Sequence, residues 1–397
     1  MKRVLYIQYT NPAAYPPLGH SARQLADNGW QVYFLGVRAL SGADAIHFAP
    51  HPNIHVKYLP ACAPGVRQKF HFVWYALTAL GYAVKWRPHW VYASDDLSAP
   101  TAFILTFFPS MRVIYHEHDS PTNTSNGSPF MRLCYAARKL LAQRCALNIL
   151  PNEQRAQRFA EDTLTTKNIT TVWNCPAREE AQIKPLARER DTLWVLYHGT
   201  IVPQRLPRAL LHALQLLPEQ IKLRVIGYET SGNKGYVSRF RDTAAQLGVA
   251  DRVEFHDAMG REDLFTWARR SDVGLAFMPP GSTDVNMRFM IGASNKAFDY
   301  LACGLPLLVS DLADWRTMFV EHGYGLMCDP TNKESIAQSL LWFWEHREEV
   351  ERMGERGRQR ILDVWNYEIQ FAGVLEKMND ECAGALVRIG AQHSTSE

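Results

Sequence analysis

The stretch Ser294-Asn-Lys-Ala-Phe-Asp-Tyr-Leu-Ala-Cys-Gly-Leu-Pro-Leu-Leu-Val-Ser-Asp311 decides the fold prediction for this chain. Its first half predicts an amphipathic helix, because Ser294 or Asn295 can cap it and apolar residues follow at helical spacing. A glycine and a proline then end the helix, and the next apolar run is too short for anything but a buried strand. A helix that leads at once into a buried strand is typical of parallel α/β sheets.

Two charged residues, Lys296 and Asp299, lie in the first turns of this predicted helix. A helix N-terminus carries free N–H groups and partial positive charge, so a lysine there suits the binding of a phosphate. A carboxylate one turn later is placed to bind the hydroxyls of a sugar or a ribose. The plain alternative is a capped helix with two solvated charges, and these residues alone leave both interpretations open.

The same stretch resembles the donor-binding helix of family 4 glycosyltransferases, which often reads Pro-Asn-Lys-hydrophobic-Phe-Glu-Tyr-hydrophobic-Ala-x-Gly-x-Pro-Val. The resemblance implies that Lys296 approaches the diphosphate of a nucleotide-sugar donor. It also implies that Asp299 binds the nucleotide ribose, although aspartate is one methylene shorter than the usual glutamate.

Length and charge set the broad expectations. A chain of 397 residues predicts two domains, because a single hydrophobic core rarely serves so many residues. Residues 1–185 carry a net charge of +8 and residues 186–397 a net charge of −5. This asymmetry is either ordinary surface variation or the mark of an anionic partner, such as a phospholipid surface or a lipid-diphosphate acceptor. Nucleic acid is not expected, because the basic residues do not cluster and accompany no recognition motif.

The apolar segments predict a cytoplasmic protein that is either free or peripheral at the inner face of a membrane. The first apolar run is too short for a signal peptide. The longest, residues 72–84, falls short of the roughly 20 residues that span a bilayer. We expect a core helix there, with contact to a membrane surface as the alternative. The seven irregularly spaced cysteines suit reduced thiols.

Strand-like runs alternate with helix-length segments along the chain, which predicts doubly wound parallel sheets. We expect a Rossmann-like domain at 1–177, a polar, proline-containing linker at 178–191 and a second domain at 192–363. A helix at 364–382 and a flexible tail at 383–397 follow. The resemblance implies the GT-B architecture, in which two such domains face a central cleft. The first would bind the acceptor and the second the nucleotide sugar, and the last helix would cross back to the first.

The loop after the first predicted strand is a candidate site, since ligands of parallel sheets bind at the carboxyl ends of strands. Its Pro-Pro pair leads into a helix near Gly19, which predicts free backbone N–H groups there. The alternative is a glycine required only by the geometry of the loop. The loop also resembles the Pro-Pro-x-Gly-Gly/His segment of family 4 enzymes. This resemblance implies that Gly19 lies against the donor phosphate and that His20 lies near the acceptor or sugar.

Polar residues also follow two later strands of the first half. Asp95 and Asp96 could orient an acceptor hydroxyl or cap the next helix, and we expect capping for at least one of them. Tyr115-His-Glu-His-Asp-Ser120 crowds titratable groups at one strand end, which favours a functional role. Two histidines on one side could also indicate a metal, but no third ligand at suitable spacing supports one. The stretch resembles the catalytic strand end of family 4 enzymes, which implies that His118 lies beside the transferred sugar.

The start of the second half predicts a strand, a glycine turn and a helix. Gly199 allows a ligand to approach the backbone, and Arg205 near the predicted helix start at residue 207 can hold a diphosphate through paired hydrogen bonds. A solvated arginine is the alternative. Family 4 enzymes usually have an arginine where Thr200 stands and a lysine where Arg205 stands. The resemblance implies that both residues line the donor diphosphate together with Gly19 and Lys296.

One position departs from the family pattern. Family 4 enzymes commonly carry a glutamate eight residues before the ribose-binding acid, whereas this chain has Ile291 there. The preceding segment offers Asp284, Asn286 and Arg288 instead, and we expect Asn286 and Arg288 near the acceptor or sugar.

Together these features predict a retaining GT-B glycosyltransferase. It would move a sugar from a nucleotide-diphosphate sugar to a saccharide or lipid-linked acceptor, in the synthesis of cell-surface polysaccharide or another glycan. The nucleotide sugar would be a co-substrate, and no cofactor or metal is expected, because Arg205, Lys296 and helix N-termini supply positive charge. Two alternatives stay open. One is a nucleotide-sugar epimerase or hydrolase of the same fold, and the other is a degenerate binding partner of an active transferase, which Thr200 and Ile291 favour.

Overall fold

The computed structural model describes residues 1–121, 128–183 and 191–393, without the side chains of Ser231 and of residues 383–393. The chain divides into two compact units. The first unit contains Met1–Arg38, Ala49–Trp173 and the chain from Tyr367 onward. The second unit contains Ala39–Phe48 and Asn174–Asn366. Part of the predicted linker, 184–190, and the end of the predicted tail, 394–397, lie outside the described residues.

The described part of the first unit contains a seven-stranded parallel sheet in the order β3-β2-β1-β4-β5-β6-β7. Its strands are β1 (Arg3–Ile7), β2 (Gln31–Val37), β3 (Ile54–Leu59), β4 (Trp90–Ser94), β5 (Arg112–His116), β6 (Leu147–Leu150) and β7 (Ile169–Thr171). The central strands are buried on both faces, which explains their continuous apolar sequences. The register pairs Ser94 with His116 at the ends of β4 and β5, so the residues that follow these strands start side by side.

In the described part of residues 1–173, the first unit contains five α-helices. They are α1 (Pro16–Asp27), α2 (Val66–Trp86), α3 (Ala99–Leu105), α4 (Pro129–Arg144) and α5 (Glu153–Thr163). Side-chain caps start two of them: the Ser128 hydroxyl accepts a hydrogen bond from Met131 N at 3.3 Å, and Asn152 Oδ1 accepts one from Arg155 N at 2.9 Å. The helices α2, α3 and α4 pack over one hydrophobic core, to which Tyr75 of α2 contributes.

The described part of the second unit contains a six-stranded parallel sheet in the order β10-β9-β8-β11-β12-β13. Its strands are β8 (Leu193–Ile201), β9 (Ile221–Glu229), β10 (Val253–His256), β11 (Val273–Ala276), β12 (Leu307–Ser310) and β13 (Gly325–Cys328). Its helices are α6 (Arg178–Gln182), α7 (Ala209–Gln215), α8 (Tyr236–Gln246), α9 (Arg261–Arg269), α10 (Val285–Arg288), α11 (Asn295–Ala302), α12 (Ala313–Trp315), α13 (Lys333–Glu345) and α14 (Arg347–Asp363). The prediction of doubly wound parallel α/β sheets is confirmed.

Two glycines let α14 pack tightly against the segment that contains α11. A Cβ atom on Gly354 would stand 1.9 Å from the carbonyl oxygen of Gly304, and one on Gly357 would stand 2.4 Å from Leu301 Cδ2. No side chain fits at either position without moving the backbone or a core residue. The close packing of α14 therefore stabilises the position of α11, the helix that carries Lys296 and Asp299.

The start of the segment predicted as a linker is helical in the structure. It forms α6, which belongs to the second unit. Two interactions fix this segment. The Glu180 carboxylate accepts a hydrogen bond from Ala177 N at 2.8 Å, and the Ala181 carbonyl accepts one from Arg358 Nη1 at 2.8 Å. The sequence signal was the pair of acidic residues at the start of α6, which favours a helix N-terminus.

The last helix, α15 (Tyr367–His393), belongs to the first unit. Trp90 Nε1 donates a hydrogen bond to the carbonyl oxygen of Met378 at 3.3 Å, and Lys377 Nζ donates one to the carbonyl oxygen of Ala146 at 2.9 Å. The predicted flexible tail is helical up to His393, because its residues are mostly good helix formers without proline. Within the described ranges, no helix combines the length and the apolar character that crossing a bilayer requires.

Candidate functional site

Lys296 is the second residue of α11 and is 8% exposed. Its ammonium group lies against the backbone of Gly199, near the end of β8. A Cβ atom on Gly199 would stand 3.2 Å from Lys296 Nζ, and the φ angle of Gly199 is +95°. Only glycine combines that backbone angle with the space that the lysine needs. We call Gly199, Arg205, Lys296 and Asp299 the second-unit site.

Arg205 lies in the turn after β8, which the hydrogen bond from Arg205 N to the Val202 carbonyl closes at 3.1 Å. The next helix, α7, begins at Ala209, two residues later than predicted, so Arg205 precedes the helix and lies outside its first turn. The Arg205 Nη2 atom lies 3.4 Å from the sulfur of Met287 in α10. Thr200 is half-buried in β8, and its carbonyl oxygen accepts a hydrogen bond from the Tyr197 hydroxyl.

The pKa of Lys296 is lowered to about 7, first by burial and then by the positive charge of Arg205, while Asp299 opposes the shift. Among the described residues, no carboxylate lies within salt-bridge distance of Lys296 Nζ. The ring centroid of Tyr197 lies 5.6 Å from Lys296 Nζ. The positive charge of Arg205 thus acts on a buried lysine that Asp299 offsets only in part, which is unfavourable unless an anion binds near Lys296.

Asp299 is 3% exposed, and both of its oxygens contact Arg261 of α9. Arg261 Nη2 donates to Oδ1 at 2.7 Å and Nη1 donates to Oδ2 at 3.3 Å. Arg261 Nη2 also donates to Glu180 at 3.0 Å, and His198 Nε2 lies 3.7 Å from Asp299 Oδ2. Burial raises the pKa of Asp299 to about 6, although Arg261 lowers it. The structure thus adds Arg261, Glu180 and His198 to the surroundings of a residue that the sequence had assigned to ribose.

Sequence reasoning missed these three residues, because they come from α9, α6 and β8 and no local pattern joins them. Only His198 had a usable signal, since it directly precedes Gly199 at the end of a predicted strand.

The predicted residues Asn286 and Arg288 lie in the short helix α10, which Asp284 caps. Asp284 Oδ1 accepts a hydrogen bond from Asn286 N at 2.8 Å. Arg288 is exposed, and its guanidinium lies 5.3 Å from the ring centroid of Phe289. Met287 of α10 contacts Arg205 of the second-unit site.

Gly19 and His20 lie inside α1, which begins three residues before Gly19 at Pro16. The prediction of free backbone N–H groups at this helix start is corrected. Pro16 and Pro17 carry no amide hydrogen, and Leu18 N donates to the Tyr15 carbonyl at 3.0 Å. Gly19 is therefore the fourth helical residue. The ring of His20 packs 5.3 Å from the ring of Tyr367 within the first unit.

Asp95 and His118 are brought together in the first unit. Asp95 Oδ1 accepts a hydrogen bond from the backbone N–H of His118 at 2.8 Å, and Gln8 Nε2 donates to Oδ2 at 3.4 Å. The backbone of Asp95 has φ 60° and ψ 171°, a region that is almost restricted to glycine. Such strain persists where the surroundings enforce it, and it concentrates at functional sites. Burial raises the pKa of Asp95, and Asp119 raises it further.

The prediction that Asp95 or Asp96 caps a helix is wrong. Neither the 3-10 turn Asp96–Ser98 nor α3 has a capping hydrogen bond from a side chain. The Asp95 carboxylate is instead turned toward His118, as described above. Asp96 is half-buried, and its pKa is raised by burial and by the neighbouring Glu117.

The ring of His118 is enclosed, with the residue 6% exposed. The ring of His116 lies 3.9 Å away and that of Tyr15 5.2 Å away. Within the described ranges, neither ring nitrogen of His118 has a hydrogen-bond partner. Burial and the positive charge of Arg155 lower the pKa of His118 to about 3, so the ring is neutral near pH 7. A neutral, unpartnered imidazole can donate one hydrogen bond and accept another.

A buried ion pair, missed from the sequence, fixes the backbone on either side of His118. Glu117 is fully buried, and Arg138 Nη2 donates to its Oε1 at 2.8 Å. The hydroxyl of Tyr115 donates to Glu117 Oε2 at 3.0 Å. Arg155 Nη1 donates to the carbonyl oxygen of His118 at 2.7 Å. Among the described residues, no group of three or more His, Cys, Asp or Glu side chains could hold a metal ion.

Most of the second unit matches a known protein-family model. Residues 178–360 match the family model described as glycosyl transferases group 1, and this span contains the whole second-unit site. Residues 178–360, a little less than half of the chain, are thus similar to group 1 glycosyl transferases. Within this span, Arg261 joins Asp299 to Glu180 of α6, the first helix of the match.

Curated relatives agree with this assignment over part of their length. The D-inositol 3-phosphate glycosyltransferase of Xylanimonas cellulosilytica is 27% identical over 164 residues, which cover 39% of this chain and 36% of the relative. The protein of the same name from Streptomyces coelicolor is 30% identical over 186 residues, covering 45% of this chain and 38% of the relative. The chain therefore spans about a third to a half of the length of the curated relatives it matches.

Solved structures resemble almost the whole chain. The sucrose-phosphate synthase from Thermosynechococcus elongatus has a TM-score of 0.70 at 13% identity, covering 98% of this chain and 100% of that one. The Anabaena protein HepE in complex with UDP-glucose has a TM-score of 0.67 at 15% identity, with the same coverage. Identities this low show the fold alone. The predicted GT-B fold is thereby confirmed.

Proposed function

We propose that this protein is a glycosyltransferase that moves a sugar from a nucleotide-diphosphate sugar to a saccharide or lipid-linked acceptor. One observation carries this proposal: the buried ammonium of Lys296 lies against the backbone of Gly199 with no directly paired carboxylate among the described residues, and the half-buried Arg205 adds a second positive charge within the residues that match the group 1 model. A diphosphate supplies the negative charge that such a pair lacks, and paired N–H donors of arginine match its oxygens.

The start of α11 adds backbone donors to this cationic pair. Ser294 is the N-cap residue by position, but in the described part of the chain its side chain makes no capping hydrogen bond. The first N–H groups of α11 are thus left to a ligand, and a helix N-terminus favours an anion. We assign the donor diphosphate to Lys296, Arg205, the backbone at Thr200 and this helix start.

We assign the nucleotide ribose to Asp299. Arg261 already holds this carboxylate, which orients its oxygens and keeps lone pairs available for hydroxyl donors. Uridine nucleotides are the first donors to test, because one structural neighbour, HepE, was solved with UDP-glucose and another, from E. coli, with UDP-2-fluoro glucose.

The proposed reaction breaks the bond between the anomeric carbon and the diphosphate and forms a bond from that carbon to an acceptor hydroxyl oxygen. Attack from the side of the leaving group retains the anomeric configuration, and the departing phosphate takes the hydroxyl proton. Arg205 and Lys296 stabilise the negative charge that grows on the diphosphate, so we expect transfer without metal. His118 would position the sugar, with His20, Asp95, Asp96, Asn286 and Arg288 as candidates for the sugar or acceptor.

Nucleotide sugars and lipid-linked acceptors fit a cytoplasmic enzyme of cell-surface polysaccharide or glycan synthesis. The net charge of +8 in residues 1–185 supports an anionic acceptor, such as a lipid diphosphate.

Donor binding is tested by the melting temperature of the protein with UDP-, GDP-, ADP- and TDP-sugars in the presence of EDTA. A ligand that binds only the folded state at 100 times its dissociation constant adds about 2.7 kcal/mol of stability. We expect a rise with one nucleotide family, its loss in Lys296→Ala and its retention in the exposed control Lys333→Ala. A protein that melts at the same temperature with every sugar nucleotide would contradict donor binding.

A degenerate binding partner of an active transferase is the second candidate. It is favoured by uncharged residues at Thr200 and Ile291, where family 4 enzymes have a cation and an acid. Donor binding without any turnover, together with full turnover when a separate transferase is added, would support this candidate over catalysis.

A further inference from the structure

Apolar side chains are exposed unevenly over the described residues. Seventeen large hydrophobic residues are exposed, and ten of them lie on α2 and α4 or on and directly after α3. These ten are Val66, Phe70, Val73, Trp74, Leu77, Val84, Ile104, Phe107, Leu133 and Leu140. Single exposed apolar residues are ordinary on proteins, but a concentration on neighbouring helices marks a contact surface.

Helix α2 is apolar on two opposite sides. One side, which includes Tyr75 and Ala79, is fully buried in the core of the first unit. The other side carries Val66, Phe70 and Leu77 at helical spacing, and these residues are 69%, 73% and 63% exposed. A helix that only covered its own sheet would place polar residues on this outer side.

The three helices lie side by side over one core. Helix α2 packs against α3, and α3 packs against α4. Phe72 of α2 meets Phe130 of α4 edge to face, with ring centroids 4.7 Å apart. Their outer sides therefore belong to one layer of the first unit. We call the ten exposed residues above, with the basic residues named next, the α2–α4 surface.

The charge of the α2–α4 surface has a single sign. The sequences of α2, α3 and α4 contain no Asp or Glu. Their basic residues other than the buried Arg138 are Arg67, Lys69, Lys85, Arg132, Lys139 and Arg144. The guanidinium of Arg144 lies 4.3 Å from the ring centroid of Phe107, so cationic and apolar groups are interleaved. A surface that combines basic and apolar side chains suits a partner with anionic groups at its surface and an apolar interior below them.

We propose that the α2–α4 surface docks on an anionic lipid bilayer. Phe70, Trp74 and Leu77 would enter the boundary between headgroups and acyl chains, while the lysines and arginines contact lipid phosphates. Lysine is depleted in protein–protein interfaces, yet half of the basic residues here are lysines, which favours lipid over a protein partner. This inference concerns the first unit and does not depend on the proposed donor site.

Sedimentation with lipid vesicles tests the docking surface. We expect the full-length protein to partition onto vesicles that contain phosphatidylglycerol, much less onto pure phosphatidylcholine, and less at high salt. Each basic residue near an anionic surface is worth about 1 kcal/mol, or about fivefold in partition. Lys69→Glu with Lys85→Glu should therefore weaken binding about 25-fold or more, whereas Lys167→Glu, an exposed lysine outside the surface, should not.

Apolar variants separate insertion from charge attraction. Phe70→Ser with Leu77→Ser should weaken binding to phosphatidylglycerol vesicles, while Leu216→Ser, exposed in the second unit, should bind like the unaltered protein. The melting temperature of each variant tests whether it is folded. We expect folded variants, because the substituted side chains are exposed and do not contribute to the core. Lys296→Ala should bind vesicles normally, so failure of the proposed transferase function would leave this result untouched.

Three results would overturn the inference. The first is the absence of binding to phosphatidylglycerol vesicles. The second is equal loss in the control variants. The third is a protein that self-associates in light scattering until Phe70→Ser and Leu77→Ser make it monomeric, without any effect on vesicle binding. That outcome would assign the α2–α4 surface to contacts between copies of this chain.

Discussion

The ammonium of Lys296 fills the space that a side chain on Gly199 would need, since a Cβ atom there would stand 3.2 Å from Nζ. The two residues belong to different elements, α11 and β8, and are joined by the packing of one helix start against one strand end. Gly199 also pairs in register with Gly227, whose own Cβ would stand 1.9 Å from the Gly199 carbonyl oxygen. The backbone of Gly199 cannot move away from Lys296, because Gly227 packs against it. The position of the Lys296 ammonium is therefore fixed.

Gly199→Ala is expected to destabilise the protein and to weaken donor binding. The φ angle of +95° and the contact with Lys296 both oppose a Cβ atom, and strain of this kind costs about 1–3 kcal/mol. Chemical denaturation measures the loss. Gly373→Ala is the matched control, because Gly373 lies inside α15 with open space around it, and alanine should there stabilise the helix slightly. Equal effects at both positions would contradict the role given to Gly199.

Donor affinity is expected to fall as pH rises through 7. Lys296 has a pKa lowered to about 7, so its charge is present below pH 7 and is lost above it, and a diphosphate prefers the charged form. Between pH 6.5 and pH 8.5 this predicts a loss of roughly 25-fold if only the charged lysine binds.

Calorimetric titration with a nucleotide sugar measures this pH dependence. The sugar nucleotide is preferable to the free nucleotide, because its diphosphate is esterified at both ends and keeps its charge over this range. Lys296→Ala should bind weakly with little pH dependence. A pH profile in Lys296→Ala that matches the unaltered protein would show that another group titrates.

Arg261→Ala is expected to destabilise the second unit strongly. The change leaves Asp299 buried without its bidentate partner and removes a partner of Glu180, and breaking such a buried pair costs about 3–5 kcal/mol. Thermal unfolding with Arg352→Ala as control separates this effect from the loss of a surface ion pair, since Arg352 pairs with Glu349 at an exposed position. A melting temperature for Arg261→Ala as high as that of Arg352→Ala would refute the structural role.

Asp95→Gly is expected to lower the activity of the protein while changing its stability little. Glycine relieves the strained backbone, by about 1–3 kcal/mol, while loss of the hydrogen bond to His118 N costs a similar amount. Stability should therefore change little, whereas turnover should fall because the His118 backbone is no longer held. Asp95→Asn keeps an oxygen acceptor and should retain more activity than Asp95→Gly. Equal activity in both variants would argue against a positioning role.

Local sequence patterns predicted the segment Ser294–Asp311 well, because a helix and a buried strand each leave their own periodicity. The structure has α11 and β12 where the pattern placed them. Arg261 and Glu180 were beyond such reasoning, since they are separated by 81 positions and meet only because α6 and α9 both pack near α11. The strain at Asp95 left no signal either, because a glycine would mark a positive φ angle and an aspartate does not.

Transfer of labelled sugar is the most direct test of the proposed function. The donor that stabilises the protein is supplied with label in its sugar, with EDTA and an extract of saccharide and lipid-linked acceptors. We predict that the label enters a larger saccharide or a lipid-linked product, with release of one nucleoside diphosphate per sugar. Lys296→Ala and Arg205→Ala should lose this transfer, while Lys333→Ala should keep it. Label recovered only as free or epimerised sugar, or as unaltered donor, would contradict the assignment of this protein as a glycosyltransferase.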